Sequence, residues 1–162
     1  MNDKLAKAFN DQIQMEFHSA YLYLSMANYF EPLVFKGMAK WMRTQFHEEQ
    51  EHAAKFMAFL HDRGTRVELQ AIPAPQLDWS GPLDVFEQSH EHEQKVTASI
   101  HRLVEMALSE KDYASNAFLQ WFVSEQVEEE ATVAEIVDKL RKVGDNVAAQ
   151  CMIDAQLGSR GA

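Results

Sequence analysis

The sequence predicts an all-α fold: a bundle of four long helices with a short fifth helix at the C-terminal end. Three observations lead there. Only six Gly and four Pro occur in 162 residues, and three of those prolines fall between Pro73 and Pro82. The long reaches on either side are rich in Ala, Leu, Met, Glu, Gln and Lys, which favour helix and lack breakers. Along these reaches the apolar residues return with the seven-residue rhythm of helices packed in a bundle.

The first helix is expected over about 2–30. Pro32 and Gly37 bracket a short connection, and the second helix is expected over about 35–63. A loop from Gly64 to Ser80 follows, carrying Ile72-Pro73-Ala74-Pro75 and Trp79-Ser80-Gly81-Pro82. Ser80 reads as the N-cap of a third helix over about 81–109, with Pro82 in its first turn. Asp112 reads as the cap of a fourth helix over about 112–143, which Gly144 stops. A fifth helix is expected over about 145–157, and the tail from Gly158 to Ala162 is expected to fray. All of 1–162 reads as one domain.

Connection lengths set the topology. A few residues cannot carry the chain back along a helix, so the first and second helices form one antiparallel hairpin and the third and fourth another. A helix of this length is roughly 42 Å long. The loop between the hairpins reaches on the order of 55 Å when extended, enough to cross the bundle from end to end. Two hairpins joined by one long crossover is the expected arrangement.

The formal net charge is −10, which argues against nucleic acid or an anionic membrane as partner. Cys151 is the single cysteine, so neither a disulfide framework within the chain nor a Cys-rich metal site is possible, and a free thiol suits a reducing compartment. The start, Met1-Asn2-Asp3-Lys4-Leu5, lacks the apolar run of a signal peptide, and no stretch approaches the length that spans a bilayer. A cytoplasmic location is expected.

The stripes that face the bundle core carry the chemistry. The first helix offers Phe9, Ile13, Glu16, Ala20, Tyr23, Ala27 and Phe30; the second offers Phe35, Met38, Met42, Phe46, Glu49, His52, Phe56 and Leu60. The third offers Phe86, His90, Glu93, Thr97, Ile100, Val104 and Ala107; the fourth offers Leu119, Phe122, Gln126, Glu129, Val133, Ile136 and Leu140. Each is apolar except near its middle, where the acidic and amide residues and His52 interrupt it, and no Lys or Arg shares the stripes. Buried carboxylates without partners cost several kcal/mol each. Glu16 or Glu93 alone would more often be a surface residue. Four such stripes meeting at one height call for bound cations.

Glu49 and His52 lie i, i+3 on one helix face, and carboxylates with one imidazole suit Fe, Mn or Zn. The E-x-x-H string is weak by itself. It recurs as Glu87-Gln88-Ser89-His90, where Glu87 falls off the inner stripe, so that copy reads as a decoy and His90 stays ambiguous. Two readings of Tyr23 stand: a core aromatic bonded to a carboxylate, or a redox-active group beside the cations. His18, His47, His61, His92 and His101 read as solvated or at subunit contacts. Glu48, Glu125, Glu128 and Glu130 adjoin the site, and although such a run is usually a solvated face, it suggests a third, more exposed cation site. Met15, Leu22, Met26 and Tyr29 form a second apolar line on the first helix. A monomer would leave that line wet, so oligomerisation is expected.

At this point the chain resembles a bacterial-type non-haem ferritin over essentially its whole length. The resemblance rests on Glu16 followed by Tyr23, on Phe46-His47-Glu48-Glu49-Gln50-Glu51-His52, on His92-Glu93-Gln94, and on the run from Phe118 through Glu130. It implies a ferritin-like four-helix bundle with Glu16, Glu49 and His52 on one ferroxidase iron. Glu49, Glu93 and Glu129 would hold a second, with Glu49 bridging and Gln126 alongside. Glu48, Glu125, Glu128 and Glu129 would form the third iron site. It further implies a homo-oligomeric cage of 24 subunits that oxidises Fe(II) with O₂ or H₂O₂ and stores the ferric mineral, with no haem. The fourth helix has Gln126-Val127-Glu128-Glu129 where a second E-x-x-H would stand, which argues against bacterioferritin and di-iron oxygenases. The single cysteine argues against rubrerythrin. The fifth helix and a ligand set within one bundle argue against the smaller DNA-protecting relatives. Two other functions compete: a di-metal redox enzyme acting on another substrate, and a helical interaction module without chemistry.

Overall fold

Capping side chains decide where most of the helices begin. In the structure, a computed structural model that describes residues 1–160, α1 spans Asp3–Phe30, α2 Lys36–Asp62, α3 Pro82–Ser109, α4 Tyr113–Val143 and α5 Val147–Gly158. Asn2, Asp112 and Asn146 each accept a backbone N–H of the first turn, from Leu5 at 2.8 Å, Ser115 at 3.0 Å and Ala149 at 3.0 Å. Each such cap is worth about 1 kcal/mol.

The start of α3 differs from expectation. Gly81, not Ser80, is the N-cap, at φ 148°, a backbone angle that only glycine takes without strain. Ser80 therefore lies one residue too early to cap, and its own N–H is taken by Asp84 Oδ2 at 2.9 Å. The hairpin turns also carry left-handed residues, Val34 at φ 63° between α1 and α2 and Lys111 at φ 55° between α3 and α4.

Side chains of α1 hold the crossover along the bundle. Asn10 brackets its start, donating to Arg66 O at 3.2 Å and accepting from Glu68 N at 2.7 Å. Gln14 donates to Ala71 O, Ser25 to Gln76 O and Tyr29 to Trp79 O. From Asn10 to Tyr29 is about 28 Å of helix, so the loop spans most of α1. The second apolar line on α1 is thereby partly covered within the chain. Met26 is fully buried beside Ser89, and the Tyr29 ring meets Trp79 edge-on. Met15, Leu22 and Tyr29 stay half-exposed, so the chain by itself covers that line only in part.

The core is two apolar clusters separated by a polar layer. One gathers Phe30, Met38, Trp41, Phe86, Val133 and Val137; the other gathers Phe9, Ile13, Phe56, Ile100, Leu119 and Phe122. On every long helix a buried acidic or imidazole group falls between the two: Glu16, then Glu49 and His52, then Glu93, then Glu129 with Gln126 beside it.

Helix α5 closes one end by docking on the start of α2. A Cβ added at Gly37 would stand 1.8 Å from the Asp154 carbonyl oxygen, so the two backbones touch because residue 37 has no side chain. Asp154 Oδ1 accepts from Met38 N at 2.7 Å, a cap that α2 lacks from its own N-cap residue, Phe35. Past α5 the expected fraying does not hold for Ser159 and Arg160, which form a turn in which Arg160 N donates to Leu157 O at 3.2 Å. Gly161 and Ala162, also expected to fray, lie outside the described residues. Among the described residues no helix is long and apolar enough to cross a membrane.

Candidate metal centre

Helix register aims the mid-bundle carboxylates at one another. Glu16, Glu49, Glu93 and Glu129 are 1%, 2%, 0% and 6% exposed, yet among the described residues none of them is ion-paired to Lys or Arg. One oxygen each from Glu16 and Glu49 and a ring nitrogen of His52 lie within 4.8 Å of one another. A second group of the same compactness joins His52, Glu125 and Glu129. His52 is shared, with Nδ1 3.3 Å from Glu49 Oε2 and Nε2 3.8 Å from Glu125 Oε1.

The protonation pattern follows from burial without counter-charge. Burial raises Glu16, while the amide of Gln12, donating to Oε1 at 2.8 Å, works against that rise. Burial, then the charges of Glu93 and Glu16, push Glu49 well above the carboxylate range. Glu93 is pushed up to about 8 by burial and by Glu129, and Glu129 to about 7 by burial. Burial and nearby Lys55 lower His52 to about 4, so its ring is neutral at pH 7 and keeps a lone pair to donate.

Glu16 Oε2 is buried with no hydrogen-bond partner. A proton held on Glu49 would satisfy it, and so would a metal ion. Both remedies express one deficit: the pocket lacks positive charge.

Glu93 belongs to neither three-residue group. Its Oε1 accepts from the Tyr23 hydroxyl and its Oε2 from Gln126 Nε2 at 3.1 Å. Of the two readings of Tyr23, the carboxylate-bonded aromatic is what the geometry displays. Burial and then Glu93 push the Tyr23 hydroxyl well above its usual range, which keeps it a donor. Gln126 also donates to Thr97 Oγ1 at 3.2 Å. Glu48 stands apart, paired with Arg160 at 2.8 Å, and Glu128 is exposed and outside both groups. Glu87 pairs with Arg141 on the surface, and His90 is half-buried between α3 and α4.

Four neighbours of the site escaped the sequence reading. Gln12 orients Glu16, and fully buried Gln45 donates to Glu129 Oε2 at 2.9 Å. Both sit four residues before a carboxylate, Glu16 and Glu49, and that repeated spacing was a usable signal. His92, expected to be solvated or at a contact, is instead buried with Nε2 2.6 Å from Ser19 Oγ, because α3 turns it toward α1. Arg160 gave no signal at all.

A family model described as the ferritin-like domain matches residues 6–143. The bacterial non-heme ferritin of Bacteroides fragilis is 44% identical over 160 residues, covering 99% of each chain. That of Staphylococcus aureus is 37% identical over 160 residues, covering 99% of this chain and 96% of its own. Among solved structures, an open pore ferritin from the hyperthermophilic archaeon Archaeoglobus fulgidus superposes with a TM-score of 0.98 at 49% identity over 99% of each chain. A closed form of that ferritin, engineered by site-directed mutagenesis, gives 0.97 at 50% identity over 99% of this chain and 98% of its own. Fold, buried carboxylate layer and full-length likeness agree, and the chain belongs to the ferritin family.

Proposed function

We propose that this chain is an iron-storage ferritin. It oxidises Fe(II) to Fe(III) at a pair of sites within each subunit and holds the ferric mineral inside a hollow cage of 24 copies. The observation that carries the reading is the orphaned Glu16 Oε2, which faces Glu49 and His52 in a pocket without internal counter-charge. The naming of an open pore form of the Archaeoglobus relative, and of its engineered closed form, supports a hollow assembly.

In this reading Glu16, Glu49 and His52 take the first Fe(II). Glu49 reaches toward the second, which Glu93 and Glu129 complete. Gln126 and Tyr23 hold the Glu93 carboxylate from its two sides. Anionic oxygen ligands favour Fe(III) over Fe(II), so they make electron loss easier. Two Fe(II) give one electron each to O₂, which takes up two protons and leaves as H₂O₂; with H₂O₂ as oxidant the same two electrons and two protons yield water. Product Fe(III) then passes along the more exposed Glu125, Glu128 and Glu48, where a third ion binds together with Glu129.

The test adds Fe(II) to metal-free protein in air, following ferric absorbance while the assembly mass is measured. Fast oxidation that saturates first at two or three ions per chain, in a particle of about 24 chains that stays in solution as mineral forms, is the expected result. Oxidation no faster than in buffer, or a small oligomer that never mineralises, would overturn the reading.

A further inference from the structure

The chain's last described residue reaches back to the carboxylate rim. Arg160 donates from Nη1 to Gln45 Oε1 at 2.6 Å and from Nη2 to Glu48 Oε2 at 2.8 Å. Its guanidinium carbon lies 4.8 Å from the centre of the Trp41 ring. Gln45 passes the contact inward by donating to Glu129 Oε2.

This is more than a surface ion pair, the kind that contributes little. Gln45 is fully buried and Trp41 nearly so, and Arg160 itself keeps only 27% of its side chain exposed. Its backbone is also fixed from behind. Gly158 abuts Gly37, Lys40 Nζ donates to Gly158 O at 2.9 Å, and Asp154 caps α2. The amide of Gln45 is oriented by the same contact. Arginine has no acceptor, so it is the Gln45 carbonyl that faces Arg160 and the NH₂ that faces Glu129.

We infer that Arg160 is a built-in counter-cation of the rim, a positioning residue that holds Glu48 and, through Gln45, orients Glu129. A third cation at the rim gains Glu48 only when Arg160 lets it go. The inference rests on the proposed iron sites for where that cation binds. It makes the order of filling a property of the fold. The deep group, with no internal cation, fills first, and the rim fills later against a competitor carried on the C-terminal turn.

The test titrates Zn(II), which does not change oxidation state, into the full-length metal-free assembly, with calorimetry reading each binding step. Arg160→Gln tightens the third, weaker step by about tenfold, the scale on which one charge-assisted hydrogen bond competes. The first and tightest step, on Glu16, Glu49 and His52, stays within about twofold of the parent, because none of these three touches Arg160 or Gln45. On a Glu48→Gln background the same change has no effect on the third step, which separates competition for Glu48 from a general gain in negative charge. Arg160→Lys keeps the charge without the planar fork and gives a smaller tightening, so the inference stays testable if Arg160→Gln assembles poorly. An unchanged or weakened third step in both variants overturns it, as does equal tightening on the Glu48→Gln background. Absence of two tight steps in the parent would instead overturn the proposed iron sites themselves.

Discussion

Two sets of carboxylates meet at His52 and are treated oppositely by the fold. The deep set, Glu16 and Glu49, has neutral neighbours: the amide of Gln12, the low-pKa ring of His52, and beyond them the apolar clusters. The rim set has cations within reach. Arg160 is on Glu48; burial and the charges of Glu128 and Glu48 still raise Glu125, and Lys55, lying over the Trp121 ring, only works against that rise. A buried charge with no partner is expensive, whereas a half-exposed one with a partner is nearly free. The deep set is therefore in deficit until a metal arrives, whereas Glu48 at the rim is already balanced.

The largest expected effect breaks the deep set alone. Glu49→Gln keeps the shape and removes the charge, and it should weaken the first Zn(II) bound by more than about 100-fold, above what loss of an outer partner costs. The metal-free fold should be as stable as the parent or more so, because a neutral amide replaces a carboxyl that the pocket cannot ionise cheaply. Glu125→Gln, at the rim, should weaken only a later step, by about tenfold or less. Comparable losses of first-step affinity from both substitutions, read by calorimetry, would erase the distinction between the sets.

A second prediction moves the rim without touching it. Gly37→Ala places a Cβ against the Asp154 carbonyl, so α5 must shift and Arg160 with it. Overpacking of this kind costs about 1–3 kcal/mol, visible as a lower unfolding midpoint. The third Zn(II) step should then tighten as it does in Arg160→Gln, while the first holds. A destabilised variant with an unchanged third step would show that α5 does not position Arg160.

How much of this was legible in the sequence divides along the same line. The deep residues could be read because they interrupt apolar stripes at a fixed height, and helical periodicity converts that into a shared pocket. Glu16, Glu49, Glu93 and Glu129 needed only the register of their own helices. The arginine at the rim could not be read that way. Arg160 sits in a tail with no periodicity, and its position depends on Gly37 letting α5 approach, a backbone contact with no local signature. The start of α3 failed for a related reason, since Ser80-Gly81-Pro82 offers two capping residues and only the φ of Gly81 decides between them. His92 looked exposed by its neighbours in sequence, but α3 packs against α1 as well as α4 and buries a second stripe.

The smallest effect is in pH, and its sign tests whether the deep deficit is electrostatic. Glu93 titrates at about 8 and Glu129 at about 7 in the metal-free fold, both above their unfolded value. The folded chain therefore holds protons that the unfolded chain has released. Stability from these two groups is complete below about pH 4.5 and is lost as pH rises toward 8. His52 and His92, lowered to about 4 by burial, act in the other direction: their contribution grows as pH rises from about 4 to 6.5 and is constant above that. The two trends oppose each other below pH 6.5, and above it the carboxylates alone titrate. The metal-free protein should therefore lose about 1–2 kcal/mol between pH 7 and 8 from these two groups, seen as a falling thermal midpoint. Saturating Zn(II) should reverse the slope, because ligands bind deprotonated and affinity grows with pH. A midpoint that rises with pH in the metal-free protein would mean that the carboxylate layer is solvated rather than buried, and the contrast between deep and rim would go with it.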